Sequence, residues 1–193
     1  GIVVQPVGPT TSAATSLVIQ SNGKLVIGGH SGAFPFLDFS LLRLNPDGSL
    51  DNGFANGGKA IFAVGGSLDA ANALVLQPDG KVIAAGFSAG TNDDIALIRI
   101  DTNGNLDPTF GTGGRAILPI GASDDYGYSA LLQPDGRIVV AGTSTVGGQS
   151  DFSAVRLNAD GSLDTSFGSA GKVLIPVGAG HDQGHSVALQ ADG

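Results

Sequence analysis

The chain repeats itself about every 57 residues, and that period constrains the fold more than any other feature. Residues 76–86 read LQPDGKVIAAG; the phrase returns as LQPDGRIVVAG at 132–142 and as IQSNGKLVIGG at 19–29, and it begins again as LQADG at 189–193. The turn glycine falls at 23, 80, 136 and 193, and a Leu-Asp pair at 50–51, 106–107 and 163–164. A third marker, a glycine ahead of a short apolar run, falls at 1, 58, 114 and 171. The sequence therefore reads as one repeat domain, 1–193, with units 1–57, 58–113, 114–170 and a partial unit 171–193. In such arrays each unit can bury its apolar face only against a neighbour.

Each full unit offers four strand candidates and the partial unit two, making fourteen. The first is the VVQPVG type (3–8), repeated as AIFAVG, AILPIG and VLIPVG. The second is ANALVLQ (71–77) and its relatives, the third KVIAAG or RIVVAG, the fourth the DFSAVRLN type (151–158). Asp-Gly or Asn-Gly between two apolar runs is the strongest short-range signal for a hairpin. The third strand is apolar on both faces and requires cover on both sides. Composition agrees: all 17 acidic residues are Asp, and 32 glycines stand among short Val-, Ile- and Leu-rich runs. The expected fold class is all-β, a β-propeller type of four-stranded antiparallel blades with about three full blades and a partial fourth; an open stack of β repeats is the alternative.

The charges follow the same period. All nine Lys and Arg occupy three repeated positions: Lys24, Lys81 and Arg137; Arg43, Arg99 and Arg156; Lys59, Arg115 and Lys172. Of the 17 Asp, only Asp93, Asp101 and Asp124 stand outside repeated positions. Charges in phase with the blade are expected to build it, with each of Arg43, Arg99 and Arg156 holding a repeated Asp such as that of Leu-Asp. The net charge of −8 repels a phosphate backbone, so nucleic acid is not an expected partner. No apolar run reaches the ~18–20 residues that span a bilayer, so membrane insertion is not expected. The absence of Cys removes disulfides and thiolate metal sites.

Taken together, Asp79-Gly80, Arg99, Leu106-Asp107 and Phe110-Gly111 form an ordered pattern that resembles the delta-60 repeat of bacterial proteins. The resemblance covers essentially the whole chain. Unit 1 departs from it most, with Ser21-Asn22 for Pro-Asp and Ser12 where later units have Asp69, Asp125 and Asp182. The resemblance implies a β-propeller-like fold, placement in large bacterial proteins that are secreted or on the cell surface, and no established activity.

Three constellations are candidates for function. Asp101, Asn103, Asn105 and Asp107 place oxygen side chains at alternate positions of a turn, as a calcium site requires; a turn whose side chains cap its own amides is the alternative. His181 and His185 have a spacing that suits zinc on a helix, but they fall in a loop, where Asp124 and Tyr128 hold the equivalent positions. Phe34, Phe36 and Leu37 form an apolar cluster in a loop that is polar in the other units. They either fold back on their blade or meet a neighbouring domain or partner. Nothing marks a nucleophile with its base, and the paired carboxylates Asp93-Asp94 and Asp124-Asp125 read as solvated.

The expected function is a non-enzymatic scaffold or binding segment of a larger bacterial secreted or cell-surface protein. Its partners would be neighbouring repeats of the same chain and a protein or glycan ligand, with calcium as the one cofactor to consider. The alternatives are a calcium-stabilised repeat adhesin and a propeller-type hydrolase or lyase working in a channel lined by the first strands. Those strands carry no charge, which disfavours an enzyme. The chain lacks Met and stops within a repeat, so it is expected to be a piece of an array that continues on both sides. A ring closed by two copies is not expected, because both partial units supply the same two strands.

Overall fold

The computed structural model describes residue 2 and residues 4–191. Twelve strands form three four-stranded antiparallel sheets, each in sequential order. The first holds β1 (Thr11–Ile19), β2 (Leu25–Ala33), β3 (Phe36–Leu44) and β4 (Lys59–Phe62). The second holds β5 (Asp69–Leu76), β6 (Val82–Ala89), β7 (Asp93–Ile100) and β8 (Arg115–Leu118). The third holds β9 (Asp125–Leu132), β10 (Ile138–Val146), β11 (Gln149–Leu157) and β12 (Lys172–Ile175). Repeated turn chemistry fixes the first hairpin of each. Gly80 sits at φ 85°, a conformation glycine adopts without strain, and the Asp79 carboxylate accepts the Lys81 amide. Asn22 and Asp135 do the same for Lys24 and Arg137, so the departure in unit 1 leaves the turn intact.

The blade is out of phase with the sequence unit. The strand that opens a unit was expected first in its own sheet; instead Lys59–Phe62 pairs with β3 and closes the preceding sheet as its fourth strand. The same holds for β8 and β12. Each remaining strand accordingly moves up one place. Twelve of the fourteen candidates form. Val3 of the first candidate lies outside the described residues, and residues 4–8 join none of the three sheets. At the other end, residues 182–190 run on without joining a sheet.

The sheets stack face to face. One core lies between the first and second, built on Val26, Phe39, Leu41, Leu74, Ala84 and Ile98. The other lies between the second and third, built on Ile83, Ala85, Ile95, Leu97, Ile138 and Val140. β6 faces both, with Val82 and Ala84 in one core and Ile83 and Ala85 in the other, as its two-sided apolar pattern requires. Among the described residues no core joins the third sheet to the first, so the arc is open.

The strands nearest one another across blades are β1, β5 and β9, while β4, β8 and β12 diverge at the periphery. The inner wall therefore belongs to strands bearing Asp69, Asn72, Asp125, Tyr126 and Tyr128, not to the uncharged runs expected there. Each inner strand carries a β-bulge, at Ala14/Ser16, Ala71/Ala73 and opposite Ala141/Gly142. The residue it throws out, Thr15 or Asn72, turns to the next blade. Thr15 Oγ1 donates to the Ala71 carbonyl at 2.7 Å, and Asn72 Nδ2 to the Gly127 carbonyl at 2.8 Å.

Candidate functional site

The two ends of the blades have different chemistry. At the turn end, the second-last residue of β3, β7 and β11 is Arg43, Arg99 or Arg156. Its Nε meets Asp51, Asp107 or Asp164 at 2.6, 2.8 and 2.7 Å. Lys24, Lys81 or Arg137 brings a second cation to the same carboxylate. The guanidinium lies over Phe54, Phe110 or Phe167 at 4.5–4.8 Å. Its Nη1 then crosses to the next blade, from Arg43 to the Thr102 carbonyl and from Arg99 to the Ala159 carbonyl. Arg43 and Arg99 thus tie their own hairpins to the adjacent blade, whereas Arg156 stays within its own, on Asp164 and Ser166.

These partners set the pH response. A hydrogen bond from Lys24, with Arg43 adding to it, lowers Asp51 from 3.8 to about 2. Asp164 is lowered to about 2 by the Ser166 hydroxyl and amide and by Arg156. Burial works against the charge of Asp107, but Thr109, Lys81 and Arg99 outweigh it and hold the carboxyl well below its usual range. Carboxylates with lowered folded values add stability above the unfolded value of 3.8 and lose it as pH falls through the folded one. The melting temperature should therefore hold down to about pH 4 and drop steeply toward pH 2, followed by circular dichroism. Asp38 and Asp94, raised by burial, act in the opposite sense and are outnumbered.

The calcium candidates do not act as one donor set. Asp101 Oδ1 accepts the amides of Asn103 and Asn105 at 2.9 Å, so these two asparagines contribute main chain to the turn. Asp107 Oδ2 is held by Arg99 and Lys81, and its Oδ1 accepts the Thr109 amide and hydroxyl. A divalent ion bound there would have to displace two cations. The residues present do not fit calcium.

At the opposite end lie the hairpins joining strands two and three and the loops between blades. Asp69 and Asp125, both fully buried, cap the loop before them: Asp69 accepts the Val64 amide at 2.7 Å and Asp125 the Ile120 amide at 2.6 Å. Ser12 gives a weaker version to Val7 and Gly8. Asp125 is thus not the solvated carboxylate expected, because its amide partners hold it inside. Its neighbour Asp124 accepts the Asp93 amide, and Tyr126 donates its hydroxyl to Asp93 at 2.6 Å.

Of the apolar loop, Leu37 donates its amide to Ser67 of the next blade and is half-buried, whereas Phe34 and Phe36 are 80% and 67% exposed. The two phenylalanines do not fold back on their own blade. His181 accepts the Ser150 amide through Nδ1, and His185 packs its ring against Tyr128, so the two imidazoles serve different partners.

One arrangement has no counterpart in the expected sites. Phe87, Tyr126, Tyr128 and His185 form a continuous row, with centroid separations of 5.0, 6.1 and 5.1 Å. The row crosses from β6 to the inner edge of β9 and on to the segment after β12. Tyr126 and Tyr128 lie within 12° of parallel, and both are half-buried. Burial raises the Tyr126 hydroxyl beyond the usual tyrosine range, and the Asp93 carboxylate raises it further. The sequence held one signal for this row: the chain's two tyrosines fall at alternate positions of one unit, where the second unit carries Ala70 and Asn72 and the first Ala13 and Thr15.

The beta-propeller family described as a domain of unknown function (DUF5122) matches residues 20–54, 77–110 and 133–167, together more than half of the chain. The chain belongs to this family. Each DUF5122 match runs from the glutamine before the first turn to the phenylalanine under the arginine. The matches thus contain the whole Arg–Asp–Phe assembly and leave the inner strands outside. No curated protein matches the chain. A solved gluconolactonase from Xanthomonas campestris is similar at 17% identity and a TM-score of 0.48, over 84% of this chain and 49% of that one. The chain spans about half the length of that protein.

Proposed function

We propose that the chain is a non-enzymatic propeller segment of the delta-60 type, a scaffold with a binding face in a larger secreted or surface bacterial protein. The observation that carries this reading is the separation of chemistry between the two ends. Two of the three sets of recurring cations, with the Asp of Leu-Asp, are committed to the Arg–Asp–Phe assemblies at the turn end. The side chains that change from unit to unit gather at the other end and on the inner edge, as the row Phe87, Tyr126, Tyr128 and His185 beside Asp93 and Asp124. Flat aromatic faces with a few fixed polar groups suit a ligand that is apolar on its faces and hydroxylated at its rim. A glycan has that character.

The test is binding of the purified chain to an immobilised glycan panel, with Tyr128→Ala as the paired variant. Binding should fall at least about tenfold in the variant while circular dichroism shows it still folded, because Tyr128 is only half-buried and makes no hydrogen bond that the blade needs. Capture of polypeptides but no glycan would overturn the ligand class. Turnover of ester or lactone substrates by the purified chain would overturn the non-enzymatic reading.

A further inference from the structure

We infer that Asn56 is a self-modification site: its side-chain amide is converted, without an enzyme, to aspartate and isoaspartate through a cyclic imide closed by the Gly57 amide. This stands independently of the ligand assigned above.

The chain contains four Asn-Gly steps, at Asn22, Asn52, Asn56 and Asn103. Such a step is the most open to imide closure, because glycine places no Cβ beside the attacking main-chain nitrogen. The fold treats the four unequally. The Gly23 amide donates to the Gln20 carbonyl at 2.9 Å, the Gly53 amide to Asp51 Oδ1 at 3.2 Å and the Gly104 amide to the Asp101 carbonyl at 3.1 Å. Each of these nitrogens must give up a hydrogen bond before it can reach its asparagine. The Asn22 side chain is tied as well, since its oxygen accepts the Lys24 amide. Among the described residues the Gly57 amide meets no acceptor. Asn56 and Gly57 are both exposed, and a Cβ on Gly57 would meet nothing within 4 Å. Nothing restrains the attack.

The reaction needs only water. The Gly57 nitrogen, losing its proton to solvent base, attacks Asn56 Cγ, and the side-chain nitrogen leaves as ammonia. Water then opens the imide ring at either carbonyl, giving aspartate or isoaspartate. The net change is one amide hydrolysed, with no oxidation or reduction. It adds one negative charge to the −8 of the chain.

The position of the turn gives this chemistry a consequence. Asn56 donates its amide to the Lys59 carbonyl at 3.1 Å, at the start of β4. The preceding Ala55 amide crosses to the Asn103 carbonyl of the second blade at 2.6 Å. Isoaspartate carries one extra carbon in the main chain, so it displaces both bonds where the first two blades meet. The equivalent turns hold Thr112 and Ser169, which have no side-chain amide to lose. Ageing is therefore confined to one junction.

The test is incubation of the intact chain at neutral and mildly alkaline pH, with each Asn-Gly step followed by peptide mapping and mass spectrometry. Conversion at Asn56 should run at least about fivefold faster than at Asn22, Asn52 or Asn103, whose glycine amides are held. It should accelerate with pH, because the nitrogen attacks after losing its proton. In urea the four rates should converge, since the fold no longer restrains three of them. Two variants keep the turn: Asn56→Ser, the residue type of the third unit, and Gly57→Ala, since Ala170 holds that place at φ 53°. Ion exchange should show a more acidic species accumulating in the parent, absent from Asn56→Ser and slowed in Gly57→Ala. Asn56 intact while another step reacts overturns the proposal, as do four equal rates in the folded chain. An acidic species that persists in Asn56→Ser overturns it too, and an aged parent that melts like the fresh one overturns the effect on the junction.

Discussion

Replacing Arg99 by Ala is expected to cost about 3–5 kcal/mol, read as a fall of roughly 10 °C in melting temperature. The side chain is 6% exposed and serves four partners: Asp107, the Ala159 carbonyl of the next blade, Thr109 and the Phe110 ring. Without it, the buried Asp107 carboxylate keeps only Lys81 as a cation. Removing one member of a buried pair costs more than the pair contributes, since the remaining charge stays desolvated. Arg99→Lys should recover less than half of the loss, because an ammonium cannot meet the carboxylate, reach the neighbouring blade and stack on the ring together. Arg137→Ala is the control. It too contacts a repeated Asp, but its side chain is 39% exposed, and the expected change is below about 1 kcal/mol. Urea unfolding measures all three, and an Arg99→Ala protein as stable as the parent would show that the arginine is ornamental to the blade.

The same arginine shows how much the sequence disclosed. Its spacing to Leu-Asp, constant in three units, was enough to pair Arg99 with Asp107, because both residues lie on one hairpin. The turns were equally legible, since Asp79-Gly80 states its own backbone geometry. The phase of the blade was not. Lys59–Phe62 follows a fourteen-residue connection, from Asn45 to Gly58, and its apolar pattern does not say whether it turns back to β3 or opens the next sheet. The inner edge was hidden for a related reason. A bulge adds one residue to the strand, so Asn72 and Tyr128 lie at positions that simple alternation assigns to a regular strand. Phe34 and Phe36 left two readings open, because hydrophobicity argues for cover without saying whether their own blade or another surface supplies it. The hairpin from Ala33 to Phe36 is too short to bring them back onto the sheet, and both stand at its tip.

Phe110→Ala is expected to cost about 3–5 kcal/mol, and the contact behind that cost can be probed from its other side. The ring is fully buried, lies beneath Arg99 at 4.8 Å and reaches the third blade at Gly161. Truncation leaves a cavity where two blades meet and takes away the surface on which the guanidinium rests. The double variant Arg99→Ala/Phe110→Ala should therefore cost less than the two single changes added together, since each already removes the shared contact. Gly161→Ala attacks the same place by addition. The residue sits at φ 85°, which costs an L side chain about 1–2 kcal/mol before any contact is counted. Its new Cβ would also lie 2.8 Å from the Phe110 ring and 2.9 Å from the Gly111 amide nitrogen. That amide donates to the Asp160 carbonyl, so the methyl group would push apart the main-chain bond that joins the blades. A loss of at least about 2 kcal/mol follows, relieved in part when Phe110→Ala is present to make room. Additive losses in that pair would mean that the ring and the glycine do not meet, and that the blades are held together elsewhere.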